Sequence, residues 1–523
     1  MFEGPFTQGA KSFTFFITYD SIKNPTKKDF LIKQKEKYPI ALVNDLPLGK
    51  KYKWFLETKL NDGKVIKSEF HYFAILNSLM INTNRFKAVQ NYNKKGKILD
   101  GLIWCDQYRC AVNRSGKIVW FIPGEKNSEI HAKVIRDFKL YRDGSITFIN
   151  QPNALRTDID LNTIWQAPYI GTISEAAKED YHHDFEVLSN GNYMILGNEK
   201  VNFSNESEKD TIVSETVDFC NIIEFDTTGQ IVWNWRMKDY FPYEYLINSK
   251  LESQSGIVNP HANSFCVDEK QNAIYLSFRD ISRIIKIDKK TKKIVASYGL
   301  KLTDDDTIFE TDLFRLQHDI QLIKDNDFLI FNNNETTKGK TSSVEIIHLP
   351  NSKKDSIYSK WQFNLKCDKH STGMALRMGG VKILPNGNYL ICGGSLNRVI
   401  EISPKKKLLW DFAFKQIDTS GYINDKFALY RVNFSPSLYP NYFRPYLISK
   451  NEITICNKGF ENDYFLIQLI EKKGSVFFSM ETAVVKINQE ITLRLPFDNL
   501  DEFKIIVISK NTGKSKSTSS KIN

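Results

Sequence analysis

Cysteine is scarce in this 523-residue chain: there are seven, they are scattered, and none forms a CxxC pair. This excludes a disulfide-built scaffold and argues against a thioredoxin-like or zinc-ribbon site. Cys105 and Cys110 are close enough to pair across a turn, and the sequence leaves that pairing open. No apolar run approaches bilayer-crossing length, so no membrane span is expected. The opening MFEGPFTQGAKSF lacks the basic-then-apolar plan of a signal peptide. The expectation is a cytosolic protein, unless an export signal is missing from this chain. Long amphipathic helical patterns are also rare, whereas aromatics are plentiful, with 36 Phe and 23 Tyr. That balance points to mostly β structure. The formal charge is +11, but the lysines are spread along turns rather than gathered in one arm. With no nucleic-acid motif in view, the excess reads as solvated turns with some attraction for a small anionic substrate.

What is present is repetition. LQHDIQLIKDNDFLIFNNN, from Leu316 to Asn334, reads as a β-hairpin with an imidazole at the head of its first strand. HHDFEVLSNGNYMILGN from His182, RDFKLYRDGSITFIN from Arg136 and GGVKILPNGNYLICGG from Gly379 share its layout. PHANSFCVDEKQNAIYLSFRD from Pro260 keeps the hairpin and again leads with a histidine, His261. Second halves follow, such as NIIEFDTTGQIVWNWRM from Asn221 and NRVIEISPKKKLLWDFAF from Asn397, whose outer strands often end in Trp. Joined, they make about six four-stranded units, the first of them ragged, which predicts an all-β, six-bladed β-propeller over residues 83–440. Residues 1–82 look like a small fibronectin type III-like β-sandwich, with Trp54 and Leu56 alternating into its core. Residues 441–523 read as a second β-sandwich with a disordered tail. The polar stretch from Asn198 to Val217 reads as a long loop, and Lys238 to Ile257 as an insertion with a short helical turn.

Equivalent blade edges converge on a central channel, so residues at the heads of innermost strands point at the axis. His183, His261 and His318 then meet there, and Arg279 at the end of SFRD joins them. Of His182 and His183, a strand puts only one in the channel. By the same alternation Asp184 and Asp319 point away from the histidines and read as turn or supporting residues. Three neutral imidazoles suit zinc or copper, but a guanidinium beside them argues for an anion instead. No metal and no cofactor is therefore expected.

HHDFEVLSNGN, PHANS…SFRD and LQHDIQL, in that order on propeller repeats, resemble the bacterial arylsulfate sulfotransferase family. GGVKILPNGNYLICGG and YRVNFSPSLYP are similar to its downstream segments, and the likeness spans roughly residues 85 to 440. The resemblance implies a six-bladed propeller enzyme that passes a sulfuryl group from an aryl sulfate to a phenol without a nucleotide donor. It implies that His318 is the nucleophile, transiently sulfurylated, and that His261 and Arg279 hold sulfate oxygens. His183 matches the remaining active-site histidine, with His182 as its neighbour, and Asn263 adds a hydrogen bond to the substrate. It further implies a periplasmic or secreted location and a disulfide near the nucleophile, for which the cysteines nearest His318, Cys266 and Cys367, are not a close pair. Expected partners are a small aryl sulfate donor and a phenolic acceptor, with a homo-oligomer allowed. The other readings are a non-catalytic propeller that binds glycans or cell surfaces, and a metal-dependent hydrolase or lyase.

Overall fold

The computed structural model describes residues 1–523 except 44–45, 77–85, 93–97, 123–134, 207–211, 249–256, 304–306, 335–340, 353, 368–371, 417–427, 501–502 and 519–523. The fold is almost entirely antiparallel β. Six sheets of four or five strands follow one another through the middle of the chain. Their innermost strands are Val432–Ser435, Ile135–Leu140, Asp180–Val187, Ala262–Asp268, His318–Lys324 and Gly380–Ile383. These touch in that order and the last touches the first, so the sheets are the blades of a closed β-propeller.

The ragged first unit has a simple cause. Its innermost strand, Val432–Ser435, is supplied from the far end of the propeller and pairs with Leu102–Cys105. The sixth blade is closed at its outer edge by Phe86–Tyr92, from the start of the propeller, on Leu408–Gln416. Each end of the propeller chain thus completes a blade begun at the other end, and the circle has no loose edge there.

Outer-strand aromatics clasp each blade to the next. Trp120, Trp233, Trp361 and Trp410 donate their indole N–H to the carbonyls of Ile159, Lys289, Pro404 and Arg114, at 2.8 to 3.1 Å. Tyr298 does the same with its hydroxyl to Pro350, at 2.8 Å, and Trp165 instead stacks on Tyr193 of the following blade, 4.0 Å between ring centres. A buried indole N–H must find an acceptor, and a neighbouring turn offers one. The recurrent Trp in the sequence marks this joint.

Two expectations need correction. The stretch from Asn198 to Val217 is an extension of a hairpin, with strands Tyr193–Glu206 and Ile212–Phe225 paired throughout; only 207–211 lie outside the described residues. Its alternation of Val201 and Phe203 with polar residues is a strand pattern, and Phe203 stacks on Tyr243 at 4.0 Å. Tyr243 begins a short helix, Tyr243–Asn248, in the predicted insertion, whose remainder 249–256 lies outside the described residues. In the tail, Ser515–Thr518 forms a strand on Lys504–Ser509 rather than a disordered end, and 519–523 lie outside the described residues. The cause is local: Gly513 takes φ 71°, which turns the chain back onto its own sheet.

Before the propeller, a five-stranded sheet is faced by the two-stranded pair Phe2–Glu3 and Ile40–Ala41, with Phe13, Phe15 and Leu56 buried between them. Trp54 packs on this core and carries His71 stacked on it at 4.6 Å. After it, three-stranded and four-stranded sheets enclose Phe443, Ile455, Phe465, Ile467 and Val507. The cysteines are free, including Cys105 and Cys110, which face each other across one hairpin. No described helix is long and apolar enough to cross a membrane.

Candidate active site

The innermost strands share a local device. Their pairing with the next strand slips between Arg136 and Lys139, Tyr181 and Phe185, Ala262 and Ser264, and His318 and Gln321. At or beside each slip one residue adopts a left-handed backbone: Asp137 (φ 61°), His183 (φ 62°), His261 (φ 62°) and Asp319 (φ 57°). Such a conformation costs a side-chain-bearing residue about 1 kcal/mol and breaks strict alternation. Successive side chains therefore both turn inward, at different depths.

This corrects the reading of Asp184 and Asp319 as residues pointing away. Asp137 accepts a hydrogen bond from the backbone N–H of Phe185 at 2.9 Å, Asp184 from Phe265 at 3.1 Å, and Asp319 from Val381 at 2.9 Å. In the fourth blade Ser264 Oγ takes the carboxylate's place and accepts from Ile320 N–H at 3.1 Å. Asp106 accepts from Asp137, Tyr430 and Arg431. From the first blade to the sixth, each is stapled to the next beneath the histidines.

At the centre of these staples lies the Arg431 guanidinium, 3.0 Å from Asp137, 3.1 Å from Asp184 and 3.3 Å from Asp319, and donating to the Asn263 carbonyl at 2.9 Å. Burial opposes these charges, but Arg431 and Lys139 together hold the Asp184 carboxyl well below the usual carboxylate range. Burial dominates at Asp137 and pushes it up to about 6.

The imidazoles lie above this floor. His318 is 2% exposed. Its Nδ1 is 2.8 Å from Asn333 Oδ1 and 3.1 Å from the Leu316 carbonyl, both acceptors, so its ring proton is assigned to Nδ1. Nε2, which makes no hydrogen bond among the described residues, keeps its lone pair. Burial pushes the His318 pKa down to about 3, and the charges of Arg279, His261 and Arg431 add to that against the Asn333 hydrogen bond. The nitrogen is a free base at neutral pH.

His183 touches His261 at 3.3 Å between Nε2 atoms, and Arg136 donates to the same His183 nitrogen at 3.3 Å. His182 lies behind it with Nδ1 against Nδ1, so the slipped strand brings both histidines to the cluster, His182 buried and His183 half-buried. Burial, then the Arg136 charge, depresses both, His182 to about 3. His261, a third exposed, has Nδ1 3.5 Å from Asp280 Oδ2. Its two nitrogens thus face Asp280 on one side and His183 on the other. Arg279 pairs with Asp280 and donates to the Leu376 carbonyl at 3.3 Å. Asn263 is fully buried; its amide donates to the Gln317 carbonyl at 2.7 Å and its Oδ1 accepts from Ser264.

Two residues that the sequence reading left out border the cluster. Tyr430 packs against His183 and His318, with ring centres 5.4 and 6.4 Å apart, and gives its hydroxyl to the Asn263 carbonyl at 2.7 Å. Arg136 lies over the Tyr430 ring at 5.4 Å and has no ion pair among the described residues. The signal for Arg136 was present: RDF at 136–138 aligns with HDF at 183–185 and HDI at 318–320. Tyr430 belongs to no repeat. Among the described residues no three His, Cys, Asp or Glu side chains are grouped to hold a metal ion.

Comparison with solved structures finds weak likenesses. A protein of unknown function from Bacteroides caccae shares 12% identity, covering 64% of this chain and 98% of its own, with a TM-score of 0.40. Virginiamycin B lyase from Staphylococcus aureus, in an inactive form with quinupristin, shares 9% over 71% of this chain and 96% of its own, with a TM-score of 0.30. A putative 6-phosphogluconolactonase from Bacteroides fragilis shares 10% over 83% of this chain and 100% of its own, with a TM-score of 0.29. Scores this low carry no functional argument. No curated protein compared with the chain matches it. The arylsulfotransferase (ASST) family profile, however, matches residues 87–369, a span that holds His182, His183, His261, Arg279 and His318. With more than half of its length matched, the chain belongs to the arylsulfotransferase family.

Proposed function

We propose that the protein carries a sulfuryl group from an aryl sulfate to a phenol in two displacements, through a sulfo-histidine at His318. The observation that carries this reading is the lone pair of a neutral, buried imidazole beside guanidinium groups. An aryl sulfate is an anion whose sulfur needs a base that is not itself negative. In the first step His318 Nε2 forms a bond to sulfur, the sulfur–oxygen bond to the aryl group breaks, and the departing phenolate takes a proton from His261. In the second, the acceptor phenol returns a proton to His261 as its oxygen displaces Nε2 from sulfur. Splitting the transfer lowers each barrier, and positive groups around the loose anionic transition state supply most of the acceleration.

Arg279 offers a planar donor fork to the sulfate oxygens. Arg136, which has no ion pair among the described residues, contributes the second positive charge. His183 holds His261 in place and His182 backs His183. Asn263 supports the backbone ahead of His318. A periplasmic or secreted location is proposed on family resemblance, and fractionation of expressing cells tests it.

The direct test is incubation with p-nitrophenyl sulfate, with and without phenol. Release of p-nitrophenolate that depends on phenol, with no added nucleotide or metal, is expected. No release from a panel of aryl sulfates, or release that needs a metal, contradicts the proposal.

A further inference from the structure

Attack by a neutral imidazole leaves a question about its other proton. When His318 Nε2 bonds to sulfur, the ring becomes cationic while Nδ1 still carries hydrogen. If that proton stays, the ring later leaves sulfur as a neutral imidazole, a good leaving group. If it is lost, the ring must leave as an imidazolate, a poor one. The fate of the Nδ1 proton thus decides whether the sulfo-enzyme is an activated donor or a dead end.

The groups facing Nδ1 are unusual in this respect. A carboxylate is the common partner of a catalytic imidazole, and buried carboxylates are abundant directly beneath this site. Among the described residues Nδ1 nevertheless meets only amide oxygens: Asn333 Oδ1 at 2.8 Å and the Leu316 carbonyl at 3.1 Å. Asn333 cannot present its other end. Its Nδ2 is committed to the carbonyls of Ala375 at 2.8 Å and Met378 at 3.0 Å, two acceptors that fix the amide orientation. Asn333 is fully buried, and its own carbonyl accepts from Ser342 Oγ at 2.8 Å, so its position is set from three sides. An amide oxygen accepts a hydrogen bond but is far too weak a base to take the proton.

We propose that Asn333 is a positioning residue that keeps the proton on Nδ1 of His318 throughout the cycle. In the resting enzyme it aims the lone pair of Nε2 at sulfur. In the intermediate it holds the ring in its cationic, readily displaced form. No further atoms are exchanged: the Nδ1–H bond neither breaks nor forms. The inference rests on the sulfo-His318 reading and deepens it.

The two half-reactions separate the roles. Sulfurylation is followed as the burst of p-nitrophenolate from p-nitrophenyl sulfate without acceptor, and discharge as loss of the modified His318 peptide on adding phenol. Asn333→Leu, close in size but without an acceptor, is expected to slow the burst about tenfold or more, the rate equivalent of one hydrogen bond. Asn333→Asp can accept the Nδ1 proton, and its sulfo-enzyme is expected to persist, discharging at least about tenfold more slowly than wild type. In unaltered protein, nitrogen NMR of the resting His318 ring is expected to show hydrogen on Nδ1, a readout independent of whether either variant folds. A folded Asn333→Asp sulfo-enzyme that discharges at the wild-type rate overturns the role of Asn333 alone, and hydrogen on Nε2 overturns it together with the Nε2 attack. Absence of any His318 adduct in wild type overturns the sulfotransfer reading, and this one with it.

Discussion

A histidine works as a nucleophile only while it lacks a second proton, and three imidazoles here are held in that state. Burial is the main cause at His182, His183 and His318, with neighbouring guanidinium charge adding to it. His318 is therefore expected to titrate near pH 3, and a titration near the ordinary 6.5 contradicts the buried site. The sign for stability follows. Below pH 6.5 the unfolded chain takes up protons that these native rings refuse, so stability is full above that pH and falls as it drops toward 3. In the proposed reaction Arg279 acts through the shape of its fork, so Arg279→Lys, which keeps the charge, is expected to lower kcat/KM by about 10²–10³-fold. Steady-state rates with an aryl sulfate measure this, and a loss under tenfold puts the clamp elsewhere. At this scale the sequence was partly legible. Histidines at hairpin heads can be seen in a one-dimensional repeat, and Arg136 could have been. The partners of His318 could not, because Asn333 reaches it across the hairpin and Tyr430 comes from a segment with no repeat partner.

Among elements, the slip at the head of four of the six inner strands matters most. It turns a pair such as His318–Asp319 inward together, one side chain to the site and one to the staples. Strand alternation predicts the opposite, which is why the aspartates looked remote from the axis. A slip leaves no mark in composition; only the left-handed backbone at a non-glycine residue records it. The staple also explains a glycine. A Cβ on Gly380 would lie 2.6 Å from Asp319 Oδ2, the oxygen that accepts Val381 N–H. Gly380→Ala is expected to destabilise the fold by about 1–3 kcal/mol and to displace the neighbouring His318, reducing turnover. Denaturant unfolding and activity of the same preparation measure both, and an unchanged midpoint removes the staple from the account. The hairpin from Tyr193 to Phe225 was misread for another reason: its distal half is polar in sequence, and backbone pairing keeps it extended.

For the whole molecule, the blade count was readable because hairpins recur, whereas closure was not, since Val432–Ser435 lies far along the chain from its blade. That closing strand follows directly on Arg431, which binds carboxylates from the second, third and fifth blades. One guanidinium thus ties the ring together under the nucleophile's strand. Arg431→Met leaves Asp137, Asp184 and Asp319 buried without their shared cation and is expected to cost about 3–5 kcal/mol. Thermal unfolding reads this as a large drop in Tm, and a variant as stable as wild type shows that the ring does not depend on its hub.

The central claim is that His318 carries the group in transit, and peptide mass analysis after a brief exposure to an aryl sulfate tests it most directly. One sulfuryl group on the peptide containing His318, discharged by phenol and absent in His318→Asn, is the predicted result. An unmodified His318 peptide during turnover, or full activity in His318→Asn, contradicts it.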